Sequence, residues 1–246
     1  MKQLAIITGV SHEHGIGAAI CLKLAEEGIN ILFTHYKAES EWAQLFQTKL
    51  QAMNILCDSL EINLAESGAA TKVLNKAFTS GVPNILINNA AHSTRDGYQI
   101  LSAKIIDEHY AVNVRTPMLL CAEFAKRLKD SSVEAGRIIN MTSGQDLGPM
   151  TEELAYVASK GAMSAFTRSF SAEVAHLGIT VNAINPGPTD TGWMTDDIKE
   201  HLRPKFLMGR IGLPQDTARL VSFLVSKEGG WITGQVLHSE GGFLRS

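Results

Sequence analysis

Short apolar runs alternate along this chain with longer stretches whose apolar residues recur every three or four positions. KQLAIITG reads as a buried strand, and VSHEHGIGAAICLKLAEEG as a glycine-rich turn running into a helix that stops at Gly28. The pattern then repeats as strand NILFTHY with helix SEWAQLFQTKLQAM, and strand region NILCDSLEINL with helix SGAATKVLNKAF. NILINNAA is a fourth strand, followed by a long helical region, SAKIIDEHYAVNVRTPMLLCAEFAKRLKD. GRIINMTS and the helix ELAYVASKGAMSAFTRSFSAEVA come next, then ITVNAINPG, the helix PQDTARLVSFLVS and a last strand in GQVLHSEGG. Strict alternation with strands too apolar for a wet face predicts an α/β fold. The expectation is a single-domain, doubly wound parallel sheet with helices on both faces.

In such sheets ligands bind beyond the carboxyl ends of the strands. Thr8-Gly9, Asn88-Asn89-Ala90-Ala91, Ser143 and Asn185-Pro186-Gly187 all fall at those ends. The stretch from Gly136 to Gly161 carries the chemistry. Tyr156 and Lys160 stand four residues apart on one helix face, and Ser143 lies thirteen positions before Tyr156 at a strand end. A phenol titrates near ~10, so it is a poor acid or base at neutral pH unless a neighbouring ammonium favours its ionised form. A hydroxyl such as Ser143 can hold a carbonyl and stabilise charge on its oxygen. The set suits carbonyl/alcohol interconversion if a hydride comes from elsewhere.

Composition adds boundaries. The 246 residues are 45% hydrophobic and 19% charged, with a formal net charge of −3. That is ordinary for one globular domain and gives no support for nucleic acid or an acidic membrane surface. No apolar run approaches a membrane span. The chain runs straight from Met1 into a strand, and Cys21, Cys57 and Cys121 are scattered in apolar contexts. The expectation is a reduced, cytoplasmic protein with neither signal peptide nor disulfides. His12-Glu13-His14 are too close in sequence for ordinary tetrahedral ligation from one turn, so no metal is expected.

The first turn, Thr8 to Gly17, follows the first strand and opens the first helix, the context in which a glycine loop lets backbone N–H groups meet a pyrophosphate. Together with NNAA, the NVR around Asn113, Ser143, Tyr156-x-x-x-Lys160 and NPGPTDT, it makes the chain resemble a classical short-chain dehydrogenase/reductase (SDR) from about Leu4 to the final Ser-Glu-Gly-Gly. In overall pattern it is similar to the 3-oxoacyl-(acyl-carrier-protein) reductases. The resemblance implies a Rossmann-type fold, with residues 4–91 mainly dinucleotide-binding, 92–246 catalytic and substrate-binding, and a lid at about 190–213. It implies Tyr156 as general acid/base, Lys160 lowering its pKa and holding the nicotinamide ribose, Ser143 on the substrate carbonyl and Asn113 anchoring a relay water. Gly9, Ser11, His12, His14, Gly15, Ile16 and Gly17 would hold the dinucleotide with Thr34, Lys37, Asn63 and Leu64. Asn89, Ala90, Ile184, Pro186, Gly187 and Thr189 would line its ribose and nicotinamide. Two departures stand out. Five residues separate Gly9 from Gly15, against three in the usual motif, and Asn63 replaces the common adenine-contacting Asp.

The second strand carries no acid before Glu39, so nothing there would repel a 2′-phosphate, while Thr34 and Lys37 could bind it. NADP(H) is therefore expected over NAD(H). Gln145, Met150, Trp193 and Met194 are expected on the substrate wall. Three readings remain open. The first is an NADP(H)-dependent carbonyl reductase, extending to 3-oxoacyl thioesters on CoA or a carrier protein. The second is a sugar or polyol dehydrogenase of the glucose-dehydrogenase type, and the third a dinucleotide sensor without catalysis. The resemblance also implies a homotetramer.

Overall fold

Runs such as LAII and ILIN, apolar at every position, can be stable as strands only if both sheet faces are covered. The computed structural model, which describes residues 2–245, has that architecture. Its strands are β1 (Leu4–Ile7), β2 (Asn30–His35), β3 (Cys57–Glu61), β4 (Ile85–Asn88), β5 (Gly136–Met141), β6 (Ile179–Asn185) and β7 (Val236–His238). The described residues form one seven-stranded sheet in the order β3-β2-β1-β4-β5-β6-β7, parallel at every pairing. The helices in chain order are α1 (Ile16–Glu26), α2 (Trp42–Gln51), α3 (Ala69–Thr79), α4 (Ala103–Tyr110), α5 (Thr116–Lys129), α6 (Leu154–Val174), α7 (Asp196–Leu202) and α8 (Pro214–Val225).

Strand alternation divides the core in two. Ala5 and Ile7 of β1 join Ile31, Phe33 and Ile85 in a cluster closed by α1, α2 and α8. Ile6, between them, faces Leu32, Leu86 and Ile138 in a second cluster closed by α3, α5 and α6. Full burial of one such side chain contributes roughly 1.5–3 kcal/mol, so the pattern fixes which face each residue takes. Between β1 and β4 the sheet reverses its direction of growth, and the loops beyond β1 and β4 part there to leave a crevice.

A polar ladder crosses the core below the site. Asn88 Nδ2 donates to Asn140 Oδ1 at 2.8 Å, and Asn140 Nδ2 donates to Thr167 Oγ1 on α6 at 2.9 Å. These bonds set the register of α6 against β5. Cys21, Cys57 and Cys121 are buried free thiols. Burial pushes all three thiols up, Cys57 and Cys121 to about 12.

The long helix expected over residues 102–130 is interrupted. α4 ends at Tyr110, a π-helical turn spans Ala111–Arg115, and α5 starts at Thr116. The break centres on Asn113, whose inward side chain bonds to main chain and to α6; a local widening of this kind frequently marks a functional position. Among the described residues no helix is long and apolar enough to cross a membrane.

Candidate active site

Ser143 leaves β5 in extended conformation and opens a tight turn over Gly144–Asp146. Its N–H donates to Gln145 Oε1 at 3.0 Å, while Gln145 Nε2 donates to Ser164 Oγ on α6 at 2.9 Å. Gln145 thus ties the serine to the helix carrying Tyr156. Gln145, expected on the substrate wall, also bonds to protein at both ends of its amide.

Tyr156 lies in the first turn of α6 and Lys160 one turn on, with Lys160 Nζ 5.5 Å from the centre of the phenol ring. Burial pushes the Tyr156 phenol up to about 12; the adjacent Ser143 hydroxyl opposes the rise and Glu153 adds to it. Lys160 is only 3% exposed, and its Nζ donates to Met141 O at 2.8 Å. Burial lowers its ammonium to about 8. Burial is thus the largest influence on the phenol, ahead of the Ser143 hydroxyl and Glu153. At neutral pH the phenol holds its proton, the form an acid needs.

Asn113 completes the cluster. Its Oδ1 accepts from His92 N at 2.7 Å, and its Nδ2 donates to His92 O at 2.8 Å and to Ser159 Oγ at 3.0 Å. Ser159 Oγ in turn donates to Tyr156 O at 2.7 Å. Protein partners thus take both amide hydrogens and one bond to the amide oxygen, fixing the side chain in place.

A second set of residues forms a cradle across the crevice. Gly9 has φ +73°, and a Cβ there would lie 2.5 Å from Ala90 Cα. A Cβ on Gly17 would lie 2.8 Å from Asn89 Nδ2 and 2.9 Å from Gly9 O, so both positions admit only hydrogen. Asn89 Nδ2 donates to Thr8 O at 2.9 Å and Gly9 O at 3.0 Å, bracing the end of β4 against the turn. Gly15 caps α1 without a side-chain bond, and the first turn, opened by Ile16, carries no acid. Its N–H groups and positive end suit an anion. His12 packs near Gly15, and His14 is exposed. Asn63 Oδ1 accepts from Ala65 N at 3.0 Å, and the Leu64 carbonyl accepts from Thr116 Oγ1 at 2.6 Å.

Thr34 does not occupy the expected position. It is 1% exposed, and its Oγ1 accepts from Gly9 N at 3.4 Å, so it supports the glycine turn from below. A strand residue one place earlier in the alternation points inward; the exposed groups at this corner are Tyr36 and Lys37. Ser11 Oγ is tied to the same corner, accepting from Tyr36 N at 3.3 Å.

On the far side, Gly187 has φ +65° with its N–H on Asn185 Oδ1 at 2.9 Å, and Thr189 Oγ1 donates to Pro186 O at 3.1 Å. A cavity of about 340 Å³ opens beside Ser143, lined among others by Met150, Glu153, Trp193, Lys205 and Arg245. Met150 and Trp193, both expected on the substrate wall, line this cavity. Met194 is 5% exposed and turned into the protein, which corrects its expected substrate contact. Arg245, which no motif or periodicity singles out, ion-pairs with Glu240 and packs against Gly144 and Gly148. Gly241 and Gly242, both at positive φ, turn the tail back to bring it there. A cation seven residues past a strand carries no periodic signal, so only the folded turn reveals it.

The sequence profile of the family described as enoyl-(acyl carrier protein) reductase matches residues 9–244. The uncharacterized oxidoreductase YjdA of Bacillus subtilis (strain 168) is 57% identical over 245 residues, 99% of this chain and 98% of that protein. The 3-oxoacyl-[acyl-carrier-protein] reductase FabG of Rickettsia bellii (strain RML369-C) is 34% identical over 247 residues, 98% of this chain and 97% of that protein. Among solved structures, a blue fluorescent protein from a metagenomic library in complex with NADPH superposes with a TM-score of 0.89 at 28% identity. That match covers 98% of this chain and 97% of that one.

Proposed function

Because the chain belongs to the short-chain dehydrogenase/reductase family, we propose that it is an NADP(H)-dependent carbonyl reductase whose substrates include 3-oxoacyl thioesters. The observation that carries this reading is the meeting of Ser143, on the wall of a cavity at the carboxyl rim, with Tyr156 and Lys160 of α6, the helix to which Asn113 is bonded. The dinucleotide, when bound, supplies the hydride. Gly9, Gly15, Ile16 and Gly17 would hold its pyrophosphate, Asn63 and Leu64 its adenine, and Asn89 and Ala90 its ribose edge. Pro186, Gly187 and Thr189 would border the nicotinamide. Ser143 holds the carbonyl oxygen by hydrogen bonding, and Tyr156 gives its proton to that oxygen as charge develops there. Lys160 supplies positive charge behind the phenol and a donor to the ribose. Trp193 and Met150 exclude water from the cavity, with the segment at about 190–213 acting as lid.

At neutral pH the phenol carries the proton that carbonyl reduction consumes. Assay of dinucleotide oxidation against acetoacetyl thioesters, simple diketones and other ketones tests the activity; turnover of glucose with oxidised dinucleotide, and of none of these, would replace it by the polyol reading.

The preference for NADP(H) rests on a β2 end without a carboxylate, where Lys37 and Tyr36 are exposed and Ser11, His12 and His14 stand across the turn. Since Thr34 is buried, the decisive substitution is Lys37→Glu. It should lower the kcat/KM ratio for NADPH over NADH roughly 10-fold, the scale of reversing one exposed charge contact. A wild-type preference for NADH would overturn this part of the reading.

The protein is further proposed to be a homotetramer. Met118, Leu119 and Tyr110 leave an apolar face exposed on the α4–α5 side, and Phe223 and a 96% exposed Trp231 leave another beside α8 and β7. Two separate apolar faces on one chain suit two two-fold interfaces. Light scattering at micromolar concentration should give four chain masses; a monomer mass counts against it.

A further inference from the structure

The helix that carries Tyr156 begins without a cap of its own. Glu153 stands at the N-cap position of α6 and its side chain makes no capping bond. The residue before it, Glu152, has φ +60°, a conformation that side chains other than glycine adopt only when their surroundings enforce it. Both features are met by one residue 58 positions upstream. Asp96 Oδ1 accepts from Leu154 N at 2.5 Å, and its Oδ2 accepts from Ala155 N at 2.8 Å. The Asp96 main-chain N–H donates to Glu152 O at 2.8 Å. Asp96 is 2% exposed, and its carboxylate is held by the two helix amides. Negative charge at the positive end of a 21-residue helix is favourable, and its bonds there are charge-assisted.

We propose that Asp96 is a positioning residue that fixes the start of α6 and so sets where the Tyr156 phenol stands; the catalytic part of this claim rests on the carbonyl-reductase reading above. Tyr156 follows directly on the two amides that Asp96 holds. The loop bearing Asp96 is itself anchored at the other side of the site. Asn113 engages both main-chain polar groups of His92, and Thr94 N donates to His109 Nε2 at 3.2 Å. The short segment 92–96 therefore links the π-helical turn holding Asn113 to the helix turn holding Tyr156. Lys160 lies a full turn deeper and is tied separately to β5 through Met141. Loosening the cap should move the phenol and leave the lysine in place.

Asp96→Asn tests this, because the amide keeps one acceptor oxygen and loses the second. Per folded site, kcat should fall about 10- to 100-fold, the scale of a small misplacement of a reacting group. The dissociation constant for reduced dinucleotide, read by its fluorescence, should stay within about twofold, since Lys160 and the glycine turn are untouched. Asp96→Ala should lose more in kcat and again little in binding. Hydrogen exchange supplies a readout that does not depend on activity. The amides of residues 154–157 should lose protection in Asp96→Asn, while those of 160–170 keep theirs. Unchanged protection at 154–157 overturns the proposal, as does a kcat that stays at the wild-type value in a folded variant. Dinucleotide binding weakened in step with kcat overturns it too, because the whole site would then have collapsed. If the wild type turns over no carbonyl compound, the carbonyl-reductase reading fails alone, and exchange still decides whether Asp96 holds the helix start.

Discussion

Tyr156→Phe is expected to fold, to bind dinucleotide as the wild type does, and to turn over at least ~10²-fold more slowly, the usual scale of a lost general acid. The substitution removes one oxygen and keeps the ring, which packs with Lys160 Nζ 5.5 Å from its centre. The phenol is buried and pushed up to about 12, so the neighbouring Ser143 hydroxyl is its natural polar partner. Ser143 cannot take over its work, because an aliphatic hydroxyl is a far weaker acid than a phenol. Cofactor binding should persist, since the groups proposed to hold the dinucleotide lie on the glycine turn, β4, the β6 turn and Lys160. The test is steady-state turnover on a substrate of the wild type, with dinucleotide fluorescence as the control. Near wild-type rates would remove Tyr156 from the chemistry.

Lys160→Met should move activity and stability in opposite directions. On the proposed reading the variant loses the charge behind the phenol and the donor to the ribose, so turnover falls by ~10²-fold or more and dinucleotide binding weakens. The dinucleotide-free protein should nonetheless become more stable at neutral pH. Burial lowers Lys160 from the ordinary lysine value of 10.5 to about 8. Below pH 8 both folded and unfolded chains hold the proton, and the folded state bears the whole burden of the buried charge. Between about 8 and 10.5 the folded lysine is neutral while the unfolded one still binds a proton, so stability rises with pH through that window. The burden is roughly 3 kcal/mol at full effect, less about 1 kcal/mol for the Met141 carbonyl that loses its donor. Thermal melts should therefore show the variant ahead of wild type at pH 7, with the gap narrowing toward pH 10. A variant less stable than wild type by the same margin at every pH would show that the lysine carries no such penalty.

The sheet, its parallel sense and the strand-end rim were legible because strands such as β1 and β4 are apolar at nearly every position and α1, α3, α5 and α8 begin at glycine or proline. Ser143, Tyr156, Lys160 and Asn113 were legible from spacing, since strand end and helix face are local properties. What failed was long-range partnership. Thr34 was selected for its hydroxyl, yet its inward strand position directs that hydroxyl to Gly9. Proximity to Ser143 predicts Gln145 on the substrate wall but not that its amide bridges Ser143 and Ser164. Asp96 sits in an aperiodic loop and acts on a helix 58 positions away, and Arg245 reaches Gly144 only through a double-glycine turn. Periodicity reports which face a residue takes, and is silent on what meets it there.

The three cysteines have a practical consequence. All are buried, and their thiols are raised well away from the range in which thiolate forms near neutral pH. Maleimides and mild oxidants should pass the native protein by. A single cysteine introduced at an exposed position such as Leu207 would then be the one reactive thiol on the folded chain, and no native cysteine need be removed first. A fluorophore attached there would test whether the segment proposed as a lid moves over the cavity, in the unmodified active-site background and one molecule at a time.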